Sequence, residues 1–303
     1  MSSQVSFETY AKTERYRGNL EIEPKLPKVL RGNVEVNSEI GVILPTYCEA
    51  ANIEKLITEL EDLNLSISIM VIDDSSPDET SNIVRTLQMK YDNILLFLRP
   101  RKTGLGTAIT DGIKAFLSLK NPPKFVITMD ADYSHNPKDI LRLVNLSKKG
   151  YDLVIGSRYL PGGKTTKWSP VRIMISKVAN KFASVIIGAK IRDCTSGLRC
   201  YSLGLLRKVI GELHCQTYEI QIETIRQTVK KGCSITEMPI TFTNRKLGKS
   251  KLSLNEVRQF VSYIGKASLE DYFEISKRLH AGEREPSDEI LIDFFQARVR
   301  TGG

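Results

Sequence analysis

The chain is poor in the residues that build metal clusters from nitrogen and sulfur. Its 303 residues hold three histidines, one tryptophan and five cysteines: Cys48, Cys194, Cys200, Cys215 and Cys233. The cysteine count is odd and contains no Cys-x-x-Cys pair. That excludes a zinc ribbon and a disulfide framework, and reads as free thiols in a reducing compartment. No uninterrupted apolar run approaches the roughly 20 residues of a membrane span. The opening MSSQVSFETYAKTERYRGNL has no apolar signal core. The chain is therefore expected on the cytosolic side, meeting any lipid from the surface. Internal repeats and low-complexity tracts are missing. Two phosphate-binding fingerprints also fail. Gly248-Lys249-Ser250 has Thr243 where a P-loop needs its first glycine, and Gly104-x-Gly106 lacks its third.

What is present is a globular composition, 41% hydrophobic and 26% charged, with a formal charge of +9. Nucleic acid, phosphorylated substrates and acidic headgroups all suit that charge. Residues 1–38 read as a mostly irregular arm. From Glu39, short apolar runs alternate with helical periodicity. The strands are IGVILP, ISIMVIDD, ILLFL, KFVITMD and YDLVIGSR. The first helix is apolar at Ile53, Leu56, Ile57 and Leu60, and the second follows Pro77, with Asp78 and Glu79 in its first turn. Five such alternations with doubly buried strands imply an α/β fold with a mostly parallel, doubly wound sheet.

The second half is more basic. Arg158 to Lys190 contains seven Lys/Arg and no Asp/Glu. Residues 171–187 are helical in pattern. Met174, Ile175, Val178, Phe182, Val185 and Ile186 share one face, with Arg172, Ser176, Lys177, Asn180 and Lys181 opposite. Such a helix either packs its apolar face on the core or lays it on a membrane. Residues 253–267 pose the same choice. Further along come a helix over 219–231, a strand in CSITEMPITF and a basic loop, FTNRKLGKSKLS. A charged helical tail, 268–303, is broken by Pro286.

Lys124 to Pro137, KFVITMDADYSHNP, organises the rest. Asp130 and Asp132 stand at i and i+2 just past a strand, so they face the same way. Read blandly, they are two charges on a solvated loop. Read at the carboxyl edge of an open sheet, where ligands bind, they suit an oxygen-ligated Mg²⁺ or Mn²⁺ shared with a diphosphate. Three other strand ends carry polar groups: Tyr47-Cys48-Glu49, Asp73-Asp74 and Ser157-Arg158. Asp73 can accept from a base, Tyr47 can pack on ribose or base, and Arg158 with the Arg245/Lys249/Lys251 loop can meet phosphates. Singly, each has a structural reading: a helix cap, a core tyrosine, a paired arginine, a solvated turn. Together on one rim they point to a phosphate-handling site.

These motifs resemble a known family. LPTYCEAANI, VIDDSSPDET, GLGTA, DADYSHNP, GSRY, GGKTTKWSPVR, DCTSGLRCY, YEIQIE and RKLGKSKL follow the order seen in dolichyl-phosphate (polyprenyl-phosphate) mannosyltransferases. These are inverting family-2 glycosyltransferases of GT-A fold. The resemblance runs from about Ile40 to Ala267 and implies a catalytic domain over 39–267. It implies nucleotide contacts at Pro45, Tyr47, Glu49, Val71 and Asp73, and Mg²⁺ or Mn²⁺ at Asp130 and Asp132, with Ala131 beside the diphosphate. Arg158, Arg245 and Lys251 would grip phosphates, with Asp132 and these three carrying catalysis. The implied donor is GDP-mannose, the acceptor a polyprenyl phosphate, and the product β-linked. Segments 171–187 and 253–267 would rest on the membrane surface. Two departures stand out. Many relatives have Gln where Ser134 stands, so here water or the Ser134 hydroxyl completes the metal shell. Some relatives also carry C-terminal membrane helices, which leaves this chain peripheral or dependent on an anchoring subunit, at the endoplasmic reticulum if eukaryotic or the plasma membrane if prokaryotic. A polyprenyl-phosphate glucosyltransferase is the alternative enzyme. A non-catalytic basic protein on membrane or nucleic acid is the alternative class, though no nucleic-acid motif is present.

Overall fold

Alternating apolar side chains that can be buried on both faces make a central strand, and five runs of this chain do so. In the computed structural model, which describes residues 30–35, 37–244, 262, 263 and 265, they become β2 (Ile40–Thr46), β3 (Ile67–Asp73), β4 (Ile94–Leu98), β5 (Phe125–Thr128) and β6 (Leu153–Ser157). All seven residues of β3 are buried. Its odd-even alternation splits the core in two. Met70 and Ile72 join one layer with Ile43, Ile113 and Phe116. Ile69 and Val71 join the other with Val42, Leu44, Ile53 and Leu56. Period-two burial on both faces is the physical basis of a parallel sheet covered by helices.

Five further strands are present among the described residues: β1 (Leu30–Arg31), β7 (Lys164–Thr166), β8 (Arg199–Ser202), β9 (Ile235–Pro239) and β10 (Thr241–Thr243). The main sheet runs β1-β4-β3-β2-β5-β8-β6-β9, while β7 and β10 form a separate two-stranded sheet. β2 pairs in parallel with both β3 and β5, so the order reverses there and opens a switch-point crevice. β8 is antiparallel to both β5 and β6. Two reversals restore direction, and the carboxyl ends of β2, β3, β5 and β6 therefore share one rim. β1, in the segment read as an irregular arm, pairs antiparallel with β4 and extends the sheet edge.

The helices are α1 (Ala50–Glu61), α2 (Thr80–Gln88), α3 (Leu105–Leu117), α4 (Asp139–Ser147), α5 (Pro170–Ile187), α6 (Leu203–Val209) and α7 (Ile220–Lys230). α1 buries the four residues its periodicity nominates. α2 starts later than expected. Asp78 lies before it, accepting from Ala50 N at 3.1 Å and Thr80 N at 3.2 Å, so Asp78 and Glu79 precede the first turn rather than occupy it.

α5 decides between the two placements its sequence left open. Ser169 caps it, accepting from Arg172 N, with Pro170 at its first position and Gly188 in the left-handed conformation at its end. Of the six residues read as its apolar face, only Ile186 is buried. Val171, Met174, Ile175, Val178, Phe182 and Val185 are exposed. Of the residues read as its polar face, Asn180 is buried, beside Ala183, Ile186 and Ile187. The reason is local: Asn180 is drawn inward by hydrogen bonds to Thr195. The 245–250 loop, nearly all of 253–267 and the 268–303 tail lie outside the described residues.

Candidate active site

One wall of the rim is built by the loops after β2 and β3. Asp73 is 1% exposed and accepts from Thr46 Oγ1 at 3.0 Å, Ser76 N at 3.0 Å and Ser76 Oγ at 2.6 Å. A carboxylate has about four acceptor positions, so Asp73 spends most of its capacity tying the two loops together. Tyr47 is half-buried, with Lys102 Nζ 4.2 Å from its ring centroid. Cys48 follows with φ +60°. Glu49 is buried and accepts from Asn52 at 2.9 Å. Pro45 is half-buried at the strand end. Val71 lies wholly in the core and brings no side-chain surface to the rim.

Arg99, unremarked in sequence, organises the next loop. It holds Asp74 Oδ1 at 2.5 Å, Thr107 Oγ1 at 2.7 Å and the Gly104 carbonyl at 3.1 Å. The glycines of GLGTA serve backbone packing. Gly106 N donates to the Gln216 carbonyl at 2.8 Å, and a Cβ on Gly106 would stand 2.3 Å from Cys215 O. The N-terminus of α3 is thereby closed by a carbonyl.

Across the switch point, β5 delivers the DADYS turn. Asp132 Oδ1 accepts from Ser134 N at 3.0 Å, and Tyr133 adopts φ +60°. Ala131 and Asp132 are buried, whereas the Asp130 side chain is 37% exposed. Ser134 Oγ is buried and has no hydrogen-bond partner among the described residues. Gly197 backs Asp130: a Cβ there would lie 3.2 Å from its Oδ1. Two carboxylates and an orphaned hydroxyl on one short turn form a hard oxygen set that fits Mg²⁺ or Mn²⁺. Among the described residues no three His, Cys, Asp or Glu side chains converge. Such a site leaves coordination positions to water and substrate, as Mg²⁺ sites do.

Arg158 closes the third side. It is 7% exposed and bound bidentately to Asp193, Nε–Oδ2 at 2.7 Å and Nη2–Oδ1 at 2.6 Å, with Thr195 Oγ1 at 2.7 Å. Burial disfavours its charge, but Asp193 outweighs that and holds the guanidinium above its ordinary pKa. The structural pairing anticipated for Arg158 is thus real. It also fixes a positive charge whose field reaches Asp130. Tyr159, Trp168 and Phe242 surround the guanidinium, with ring centroids 5.4–5.5 Å from Cζ. Arg172 lies 3.9 Å over the Trp168 ring. Thr195 is shared with Asn180 of α5, and Tyr159 donates to Ser176 of the same helix at 2.6 Å.

Trp168, Phe242 and Asp193 escaped a reading centred on strand ends, although Trp168 and Asp193 sit in the quoted motifs. Arg199 escaped too. It is fully buried and clamps the 194–198 turn through the carbonyls of Cys194, Ser196 and Gln221. Arg245 and Lys251 lie outside the described residues. The chain reaches that segment from Thr243, whose N–H donates to the Ser134 carbonyl at 3.0 Å.

Comparison with known proteins matches this geometry to a family. A polyprenol monophosphomannose synthase of Mycolicibacterium smegmatis is 36% identical over 220 residues, covering 72% of this chain and 82% of the relative. An undecaprenyl-phosphate mannosyltransferase of Micrococcus luteus is 34% identical over 212 residues, covering 70% and 86%. Among solved structures, glucosyl-3-phosphoglycerate synthase of Mycobacterium tuberculosis, in complex with Mn²⁺, UDP and glucosyl-3-phosphoglycerate, superposes with a TM-score of 0.53. It is 18% identical, over 84% of this chain and 83% of that one. A Pyrobaculum calidifontis mannosyltransferase bound to GDP-Man and Mn²⁺ superposes with a TM-score of 0.51 at 16% identity, over 89% and 72%. These two likenesses support the GT-A-like architecture. Residues 41–210 match glycosyl transferase family 2, and on that match and those relatives the chain belongs to this family of glycosyltransferases.

Proposed function

We propose that the protein transfers mannose from GDP-mannose to the phosphate of a polyprenyl phosphate, inverting the anomeric centre to give a β-linked lipid product. The observation that carries this is a juxtaposition. The charge of Asp130 acts on the buried Arg158, and Arg158 is wired through Thr195 to a helix whose apolar side points outward. The named activities of the two curated relatives support the same reading.

Pro45, Tyr47, Glu49 and Asp73 are assigned to the nucleotide side, and Val71 only to the core beneath them. Asp130, Asp132 and Ser134 would hold Mg²⁺ or Mn²⁺, with Ala131 beside the diphosphate. When bound, the cation draws charge from the leaving diphosphate. The acceptor is a phosphate monoester whose second pKa is about 6, so it is largely dianionic at neutral pH and needs no strong general base. The chain's task is to bring two anions together. Arg158 is suited to it because Asp193 and Thr195 hold its guanidinium in one orientation, and a preorganised charge costs no reorganisation during reaction. Arg245 and Lys251 are proposed to add mobile charge.

The outward face of α5 is the proposed membrane contact, with Lys177 and Lys181 exposed beside it for acidic headgroups. No helix among the described residues is long and apolar enough to cross a bilayer, so attachment at the cytosolic face would be peripheral, with or without an anchoring subunit. The test is incubation with labelled GDP-mannose, Mn²⁺ and a short-chain polyprenyl phosphate. A labelled lipid that vanishes in Asp132→Ala is expected. Labelling from UDP-glucose but not GDP-mannose would overturn the donor assignment.

A further inference from the structure

We propose that His135 is a positioning residue of the cation site: its Nδ1–H closes on Asp130 Oδ2 when Asp130 turns its other oxygen to a divalent ion. The inference rests on Asp130 and Asp132 being cation ligands.

Three observations carry it. His135 is 2% exposed, and neither ring nitrogen has a hydrogen-bond partner among the described residues. An unpaired buried polar atom costs about 1–3 kcal/mol, and a fold that keeps one calls for an explanation. Second, Nδ1 stands 3.8 Å from Asp130 Oδ2. That exceeds the hydrogen-bond range of about 2.7–3.2 Å, so the two atoms are neighbours one small rotation short of a bond. Third, both partners are held from behind. The Phe242 ring meets the imidazole edge-on, centroids 5.2 Å apart at 77°. Gly197 lets the Asp130 carboxylate lie against its backbone, where a Cβ would come within 3.2–3.3 Å of both oxygens.

The charged groups that act on His135 are Asp132, Asp139 and Asp193 on one side of the balance and Arg158 on the other. A neutral imidazole has a single N–H to give. Asp130 selects the tautomer that carries it on Nδ1. The imidazole does not belong to a three-ligand cluster, so it acts through Asp130. Outer partners of this kind orient metal-binding carboxylates and are worth about 10–100-fold in metal affinity.

The experiment measures Mn²⁺ binding to the full chain by electron paramagnetic resonance of the free ion, with GDP present, beside transfer kinetics as a function of Mn²⁺. His135→Ala is expected to raise the Mn²⁺ Kd about tenfold, raising the Mn²⁺ concentration for half-maximal rate while leaving kcat at saturating Mn²⁺ close to wild type. His135→Asn, whose amide N–H falls near the position of Nδ1–H, should restore most of the affinity. His135→Gln, which reaches toward the Nε2 position, should not. Unchanged affinity in the alanine variant, equal rescue by Asn and Gln, or equal loss in all three would overturn the proposal. Should the alanine variant fail to fold, the Asn/Gln contrast decides alone. Failure of the wild type to bind Mn²⁺, or retention of binding by Asp132→Ala, would sink the cation reading itself.

Discussion

Replacing Val178 by aspartate probes the outward face of α5 at its most exposed apolar residue, 65% open to solvent. Fully burying a valine-sized side chain is worth about 1.5–3 kcal/mol, so Val178 contributes about 1–2 kcal/mol when α5 meets a bilayer. The six exposed apolar side chains of the helix amount to about three whole ones, or about 5–10 kcal/mol in all. That is the scale of a single myristoyl anchor, K roughly 10⁴ M⁻¹, or somewhat above it. Aspartate removes the valine share and adds a negative charge, worth about 1 kcal/mol against an anionic surface. The sum, about 2–3 kcal/mol, weakens binding roughly 30- to 150-fold. Cosedimentation with vesicles of neutral lipid and of neutral lipid plus phosphatidylglycerol measures it directly. Transfer to a water-soluble short-chain acceptor should stay near wild type, because Val178 touches none of the polar network inside the helix. Vesicle binding that Val178→Asp leaves unchanged, but Lys177 and Lys181 substitutions abolish, would show that charge alone holds the protein there. That result would refute the argument from buried apolar area.

Asp132→Ala should lower transfer at least about 100-fold while leaving the chain folded by circular dichroism; a folded, fully active variant would remove the cation from the mechanism. Asp193→Asn leaves the Arg158 guanidinium buried without its counter-charge, and the urea midpoint should report a loss of about 3–5 kcal/mol. Burial raises the Asp193 pKa, but the charge and hydrogen bonds of Arg158 prevail and lower it. Its stabilisation is therefore complete above the ordinary aspartate pKa of about 3.9 and lost as pH falls through the lower folded value. Circular dichroism during acid titration should show the wild type, and not the variant, losing this component below about pH 4. Iodoacetamide should label exposed Cys48 in the native protein and spare Cys194 and Cys200, which burial shields and pushes up to about 12. GDP should slow the Cys48 reaction, and mass spectrometry showing no protection would count against a nucleotide on the β2 loop.

The parallel half of the sheet was legible because its strands are buried on both faces and read as continuous apolar runs. ILLFL became β4 without a change of boundary. β8 was not legible. Arg-Cys-Tyr-Ser has no periodicity of its own, and it is a strand only because β5 and β6 flank it. CSITEMPITF reads as one strand but divides at Ile240, whose N–H turns to the Ser157 carbonyl, giving β9 and the separate β10. At the site, the carboxylate pair stood out through its spacing. The partners that hold Asp73 and Arg158 did not, because Thr46, Asp193 and Thr195 come from other loops. His135 was passed over for the same reason: only the folded chain reveals a ring whose two nitrogens lack partners among the described residues. For α5, periodicity identified two faces but not which one the core would take, and Asn180 with Thr195 decided it.

That outward apolar face has a consequence for what the enzyme measures. A helix with its side chains is about 10–12 Å thick, so with α5 laid on a bilayer as proposed, about that distance would separate hydrocarbon from the arginine on its inner side. A prenol lying in the bilayer would need to lift only its headgroup and first few carbons past this partition, leaving the remainder dissolved where it was. Tail length should then be nearly invisible to the reaction, and the same chain could serve membranes stocked with short or long prenols.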